Sequence, residues 1–204
     1  MAKIVNSWNE WDPLNLVIMG RPEGTNMPAP EPAWWYDRPE GDYPLPTYGP
    51  FPQEMIDKAN EQMNYFQGRI EKRGAKVERI TIEPFMLNQP VSTPDWVQLN
   101  CHGVNNVRDV TMVHGNMVIE ATTVRRSRWY EYLNLRSFWE QYFREDPEMV
   151  WFSAPKPRLT DKSYVKNYYY YFHNVWSDEE KLEKCRRSEF QLTEHEPLWD
   201  AADA

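Results

Sequence analysis

Val110-Thr111-Met112-Val113-His114-Gly115-Asn116-Met117-Val118-Ile119-Glu120-Ala121 is the stretch on which the fold turns. Two β-prone runs flank His114-Gly115-Asn116, whose turn chemistry predicts a hairpin over 110–121. Downstream, Trp129, Leu133, Phe138 and Tyr142 run through a predicted helix over 127–144, and Asp146-Pro147 ends it. Val150-Trp151-Phe152 then reads as a short strand. Upstream, residues 14–19 form an apolar run that stops at Gly20-Arg21 and suits a strand buried on both faces. Met55, Ala59, Met63, Phe66 and Ile70 place one apolar stripe on a helix over 53–73, with Gly74 as its stop and a strand over 76–82 after it. The order is strand, helix, strand, then hairpin, helix, strand. That is a repeated ββαβ unit in the α/β class, not a doubly wound sheet.

Other segments are less regular. Residues 27–52 are rich in proline, which lacks the backbone donor and fixes φ, so no regular element persists there. Trp34, Trp35, Tyr36, Tyr43, Tyr48 and Phe51 are interleaved, which predicts an ordered loop pinned by its rings, with a ligand lid as one use of it. Tyr168 to Tyr171 reads as packing on the two faces of a strand. Ser177-Asp-Glu-Glu180 is a capping box that opens a helix through Lys184, and 189–192 reads as a last strand.

Composition limits the function. Hydrophobic residues are 41% and charged residues 26% of the 204, as in a soluble globular domain. No apolar run approaches the roughly 20 residues that span a bilayer. The start, Met1-Ala-Lys-Ile-Val-Asn-Ser-Trp, has no signal or transit character, so a cytoplasmic location is expected. Asp plus Glu number 31 against 23 Lys plus Arg, a net charge of −8, which argues against a nucleic-acid partner. The dense basic cluster, Arg125-Arg126-Ser127-Arg128, is short and followed by Glu131. Cys101 and Cys185 form no framework and read as reduced thiols. Ten Trp and twelve Tyr require that large rings fill the interior or line a cleft.

Chemistry is sparse. No glycine-rich phosphate loop is present, and the four histidines lack metal-ligand spacing, so neither cofactor nor metal is expected. Cys101-His102 is no catalytic pair on adjacency alone, because neighbouring side chains diverge. Asp109, after Arg108, lies at a strand mouth, where a carboxylate can receive a cation or simply pair with Arg108 at the surface. Asp200 and Asp203 flank two alanines beside Trp199. Either could transfer protons as a partly desolvated acid, and Asp200 could equally be a helix cap.

Several segments together resemble the glycine amidinotransferase family. They are Asn6 to Leu14 with Val17 to Arg21, Val107-Arg-Asp-Val110, Gly115 to Ala121, Arg126-Ser-Arg-Trp-Tyr-Glu-Tyr132, Ala154-Pro-Lys-Pro157 and Glu196-Pro-Leu-Trp-Asp-Ala-Ala-Asp203. They occur in family order from residue 6 to residue 203. The resemblance implies a pentein-type propeller of five ββαβ blades, of which 1–204 would be about half, an incomplete domain. It implies transfer of the amidino group of arginine to an amine such as glycine. In that reaction a cysteine attacks the guanidinium carbon, ornithine leaves, and the amine attacks the amidino-cysteine. By motif position, Asp109 resembles the carboxylate that binds the arginine guanidinium, and Asp200 the aspartate that orients the catalytic histidine. Arg108 and Asp203 are supporting candidates. Asn106-Val107 departs from the family's Met-Pro. The family's histidine and cysteine lie beyond the segment that ends here, so this chain alone is expected to be inactive. It would be a fragment, a subunit completed by a second polypeptide or a homo-oligomer, or a non-catalytic homologue serving as an interaction or ligand-binding module.

Overall fold

A computed structural model of the protein describes residues 3–34 and 48–203. Along the chain lie β1 (Leu16–Met19), β2 (Asn26–Met27), β3 (Gly49–Pro50), α1 (Gln53–Glu71), β4 (Lys76–Arg79), β5 (Val91–Ser92) and β6 (Val97–Gln98). There follow β7 (Thr111–His114), β8 (Met117–Glu120), α2 (Arg136–Glu145), β9 (Val150–Ser153), α3 (Tyr168–Asn174) and α4 (Asp178–Arg186). β1 and β4 pair in parallel, joined through α1. β7 and β8 form the expected hairpin, with Val113 opposite Val118, and β9 adds in parallel to β8 after α2. A parallel partner needs a crossover, and each helix supplies one. β7-β8-α2-β9 is therefore a complete ββαβ unit, as the sequence implied.

Its core is built from Val118, Leu135, Trp139 and Tyr142, continuous with Ile80 and Met86 beside β4. Polar bonds from two residues of the α2 region tie the segments together. The Tyr142 hydroxyl donates to Glu78 on β4 at 2.7 Å. Asp146, just past α2, accepts from the backbone of Ile4 at 2.8 Å and Val5 at 3.2 Å, fixing the N-terminal segment.

Four local expectations change. Along α1, Met55 and Phe66 face solvent, and Ile56 is the fully buried residue. Ala59, Met63 and Ile70 of the expected stripe are half-buried on the same side as Ile56, because a two-stranded sheet covers only a narrow strip of helix. The helix placed over 127–144 begins only at Arg136. Before it run 3₁₀ turns at Arg126–Arg128 and Glu131–Leu135, whose geometry brings i and i+3 side chains into line. Tyr168–Asn174 is helical, started by Asn167 at φ 58°. Its rings pair at i,i+4, with Tyr168 stacked on Phe172 and Tyr169 against His173. Residues 189–192 form no strand. Left-handed backbone at Ser188 and Glu194 bends the segment, leaving a single bridge between Leu192 and Tyr164. Part of the proline-rich loop, with Trp35, Tyr36 and Tyr43, lies outside the described residues. The capping box at Ser177 is formed in both directions.

The end of β1 fixes the segment that leads to Asp109. Arg21 donates its backbone N–H to Val104 at 3.2 Å. A Cβ on Gly20 would collide with the carbonyls of Val104 and Asn105. Gly20→Ala is expected to lower unfolding stability by about 1–3 kcal/mol, the usual cost of overpacking against rigid backbone. Chemical denaturation checks this, and an unchanged midpoint would show that the contact can relax freely.

Candidate functional site

The site is assembled from three short irregular segments. The 3₁₀ turn Val107–Val110 precedes β7 and carries Arg108 and Asp109. Their side chains part: exposed Arg108 reaches Glu10 at 3.6 Å, while Asp109 turns inward. Beyond β8 the chain extends to the turn that holds Arg128. The third segment, Trp199 to Asp203, is clamped to the exit of β8 by Thr122. The Thr122 hydroxyl donates to the Trp199 carbonyl at 2.9 Å and accepts its N–H at 2.8 Å. Asp200 thereby faces Arg128 and also caps the turn Ala201–Asp203, accepting from Ala202 N–H at 3.0 Å. The side chain of Asp203 is outside what the structure describes.

Arg128 is the hub. It is only 6% exposed. Its Nε and Nη2 donate to the two oxygens of Glu131 at 2.5 and 2.8 Å. Nη1 donates to Asp109 Oδ2 at 2.6 Å and lies 3.8 Å from Asp200 Oδ2. Nη2 also reaches the carbonyl of Asn106 at 3.2 Å. Two nitrogens on two oxygens is the geometry of an ionised guanidinium and carboxylate. Burial opposes both charges. It lifts the Glu131 carboxyl to about 7 against the pull of Arg128. For Arg128 the hydrogen bonds of Glu131 and Asp109 outweigh burial and hold the guanidinium above its ordinary range.

Beside this hub is a cavity of about 310 Å³, lined by His102, Asp109, Thr123, Arg125, Arg128 and Asp200 among others. That is the lower end of the size range of small-molecule sites. His102 is placed by its N–H bond to the Ser127 carbonyl at 3.0 Å. Burial, reinforced by Arg128 and Arg125, lowers its imidazole from an ordinary 6.5 to about 4, so it is neutral at pH 7. Its Nδ1 is buried without a hydrogen-bond partner among the described residues. Neighbouring Cys101 points into the core, where burial pushes its thiol up to about 12 and makes it a poor nucleophile. Cys185 is exposed on α4. A larger cavity of about 670 Å³ opens between the N-terminal segment and α2, on the Arg108 side. It lacks convergent carboxylates on a buried cation, so the smaller one is the candidate site. Among the described residues no cluster of three His, Cys, Asp or Glu could hold a metal.

The structure thus brings Asp109 and Asp200 to one guanidinium and leaves Arg108 outside. Sequence reasoning missed Arg128, Glu131, His102 and Arg125. The three-residue spacing from Arg128 to Glu131 was the one available signal, since that spacing aligns opposite charges.

Removing one partner of such a buried pair strands the other charge. Arg128→Leu is expected to cost about 3–5 kcal/mol, and the double variant Arg128→Leu/Glu131→Leu to recover much of it. Urea unfolding of the single and double variants decides. A double variant no better than the single would show that Asp109 and Asp200, not Glu131, require the cation. His102 makes a separate, pH-dependent contribution. Its folded pKa is depressed, so its stabilisation is complete above pH 6.5 and is lost as pH falls toward 4. Between pH 7 and 4.5 the wild type is expected to lose on the order of 2 kcal/mol more than His102→Gln. Parallel stability curves would remove His102 from this titration.

No family model matches the chain. It is 32% identical over 202 residues to the mitochondrial glycine amidinotransferase of Xenopus tropicalis, covering 98% of this chain and 46% of that protein. It is 30% identical over 207 residues to the L-arginine:L-lysine amidinotransferase of Pseudomonas savastanoi pv. phaseolicola, covering 98% of this chain and 51% of that one. Among solved structures it is similar to SxtG, an amidinotransferase from Microseira wollei in the saxitoxin biosynthetic pathway, with 36% identity, a TM-score of 0.76 and 98% and 51% of the two chains covered. It is also similar to the inosamine-phosphate amidinotransferase StrB1 of Streptomyces griseus, with 28% identity, a TM-score of 0.77 and 98% and 52% covered. The chain spans about half the length of the curated relatives it matches.

Proposed function

The chain is homologous to the amidinotransferases and shares their pentein-type fold over about half their length, and from that premise we propose that it carries the guanidinium-binding part of an arginine amidinotransferase site. The supporting observation is the convergence of Asp109 and Asp200 on a single guanidinium, that of Arg128, at 2.6 and 3.8 Å. Two carboxylates held this way form a rim suited to a second planar cation. Asp109 keeps one oxygen without a partner among the described residues, and its side chain is 20% exposed toward the cavity. That oxygen receives the donor guanidinium. Asp200 faces the same space and orients the imidazole that moves protons in the transfer. The acceptor is an amine, with glycine as the leading candidate, giving ornithine and guanidinoacetate.

Sulfur and a protonatable imidazole are not supplied by the described residues lining this cavity. Cys101 is buried in the core and His102 resists protonation. The 204 residues act as an incomplete propeller domain that binds without turning over. Trp11, 83% exposed, and Leu14 are apolar surface of the kind that further blades would cover, from a second polypeptide or another copy. Two unpaired thiols fit a reducing, cytoplasmic setting, and no described helix is long and apolar enough to cross a membrane.

NMR titration of the labelled chain with arginine tests the reading. Amides around Asp109 and Asp200 are expected to shift. Asp109→Asn, which removes one charge-assisted bond, is expected to weaken binding by about tenfold or more. No ornithine is expected from this chain alone. Unchanged arginine binding in the variant takes Asp109 out of the site, and turnover by the chain would overturn the assignment of the nucleophile.

A further inference from the structure

The larger cavity, of about 670 Å³, lies outside the site described above and is of a size that small-molecule sites have. Leu16 and Ile18 of β1 line one side, and Leu135, Trp139 and Tyr142 of the α2 region another. Residues of the N-terminal segment, from Lys3 to Asn15, line a third. That segment is fixed by its own polar bonds. Ile4 and Val5 donate to Asp146, and Ser7 and Gly115 exchange backbone bonds at 2.8 and 2.6 Å. Asn9 Oδ1 accepts from the N–H groups of Trp11 and Asp12 at 3.1 and 2.8 Å. Trp8 and Leu14 edge the cavity and stay more exposed than buried, so the segment does not fill the space with its large apolar side chains.

Two deeply buried side chains that line this cavity carry polar atoms without a partner among the described residues. They are the hydroxyl of Thr111, a residue 6% exposed, and the indole N–H of Trp139, 4% exposed. Polar groups at this depth are ordinarily bonded, and leaving one unmet is costly. Water meets them poorly here. A water needs two to four polar partners, and the space is that of many waters at roughly 30 Å³ each, while β1 and α2 offer it apolar side chains. Neither donor is charged. The cations of the lining, Lys3 and Arg108, are already paired, at 2.6 Å with Glu148 and at 3.6 Å with Glu10. The matching ligand is therefore uncharged, apolar over most of its surface, and carries an oxygen that accepts hydrogen bonds.

We propose that this cavity is a second binding site, for a small neutral molecule with a carbonyl oxygen on an apolar, ring-sized body, its oxygen bonded by the Trp139 indole N–H and the Thr111 hydroxyl. Val107 and Arg108, on the turn that carries Asp109, and Ala201, next to Asp200, form part of its wall, so the two cavities back onto the same two short segments. This second site does not depend on the donor-site reading of Asp109.

Acetophenone and ethylbenzene share a ring and differ in the carbonyl, and NMR titration of the labelled chain with each is the test. The Trp139 indole N–H, identified by its loss in Trp139→Phe, is expected to shift with acetophenone and much less with ethylbenzene. Thr111→Val keeps the side-chain shape and removes the hydroxyl. In it acetophenone is expected to bind about fivefold more weakly, the worth of one neutral hydrogen bond, while ethylbenzene binds as before, which also shows that the variant is folded. Arginine is expected to displace neither probe. Failure of both probes to bind overturns the site. So does acetophenone binding that leaves the Trp139 resonance unmoved and is indifferent to Thr111→Val. A loss shared equally by both probes in Thr111→Val refutes the role of the hydroxyl, and shifts confined to Trp8 and Trp11 put the probe on the exposed rim and refute the cavity. Displacement of acetophenone by arginine would merge the two cavities into one site and refute a second, leaving the Asp109 reading in place.

Discussion

A guanidinium taken out of water must be met by oxygens on every edge, and Arg128 imposes that requirement on this half of the molecule. Three stretches of chain bend toward it. Glu131 reaches it by a 3₁₀ turn, Asp109 by another, and Asp200 through the clamp that Thr122 places on Trp199. None of these segments is a regular strand or helix. Regular elements would carry neighbouring side chains past the cation instead of stopping them at it. The irregular backbone around residues 107–110 and 126–135 is the consequence of converging charged groups, and the helix after it begins only once Glu131 has been delivered.

The same device recurs at two further places. Glu31 is buried against the backbone of Arg126 and Ser127, joining the start of the proline-rich loop to the wall of the cavity. Glu120, fully buried at the end of β8, is held in a fork by Arg136 at 3.0 and 2.9 Å and also by the Ser153 hydroxyl. Pairs of this kind specify arrangement more than they add stability, because desolvation offsets most of their attraction. Here they fix where irregular segments lie relative to the β7-β8-β9 sheet, which hydrophobic contacts alone, being non-directional, do not.

The cavity inherits its character from what this network leaves over. Arg128 is saturated, Asp109 keeps one oxygen without a partner among the described residues, and His102 is kept neutral by burial and by the two neighbouring cations. The result is a small space with acid on one wall and base on another. Carboxylate chemistry is thus present in these residues, while a reactive thiolate is not. Burial raises the Cys101 thiol, with Glu131 and Glu31 nearby adding to the shift. The buried acids that order this region therefore add to burial in keeping this thiol protonated.

The linear sequence determined the repeating order of elements, the hairpin at Gly115-Asn116, the capped helix after Ser177 and the motif pattern, with Asp109 and Asp200 in it, that resembles the amidinotransferases. These depend on local turn chemistry, short-range periodicity or runs of adjacent residues, all of which are written along the chain. Tertiary structure decided the rest. How much of the α1 stripe is covered depends on the width of the sheet beneath it. Whether Tyr168–Tyr171 forms strand or helix depends on a left-handed Asn167 and ring pairs at i,i+4. Whether Arg125 to Arg128 is a solvated basic run or the interior of a site depends on acids that come from as far away as residues 31 and 200. Charge pairing acts across space between residues remote in sequence, and composition records only that both signs are present.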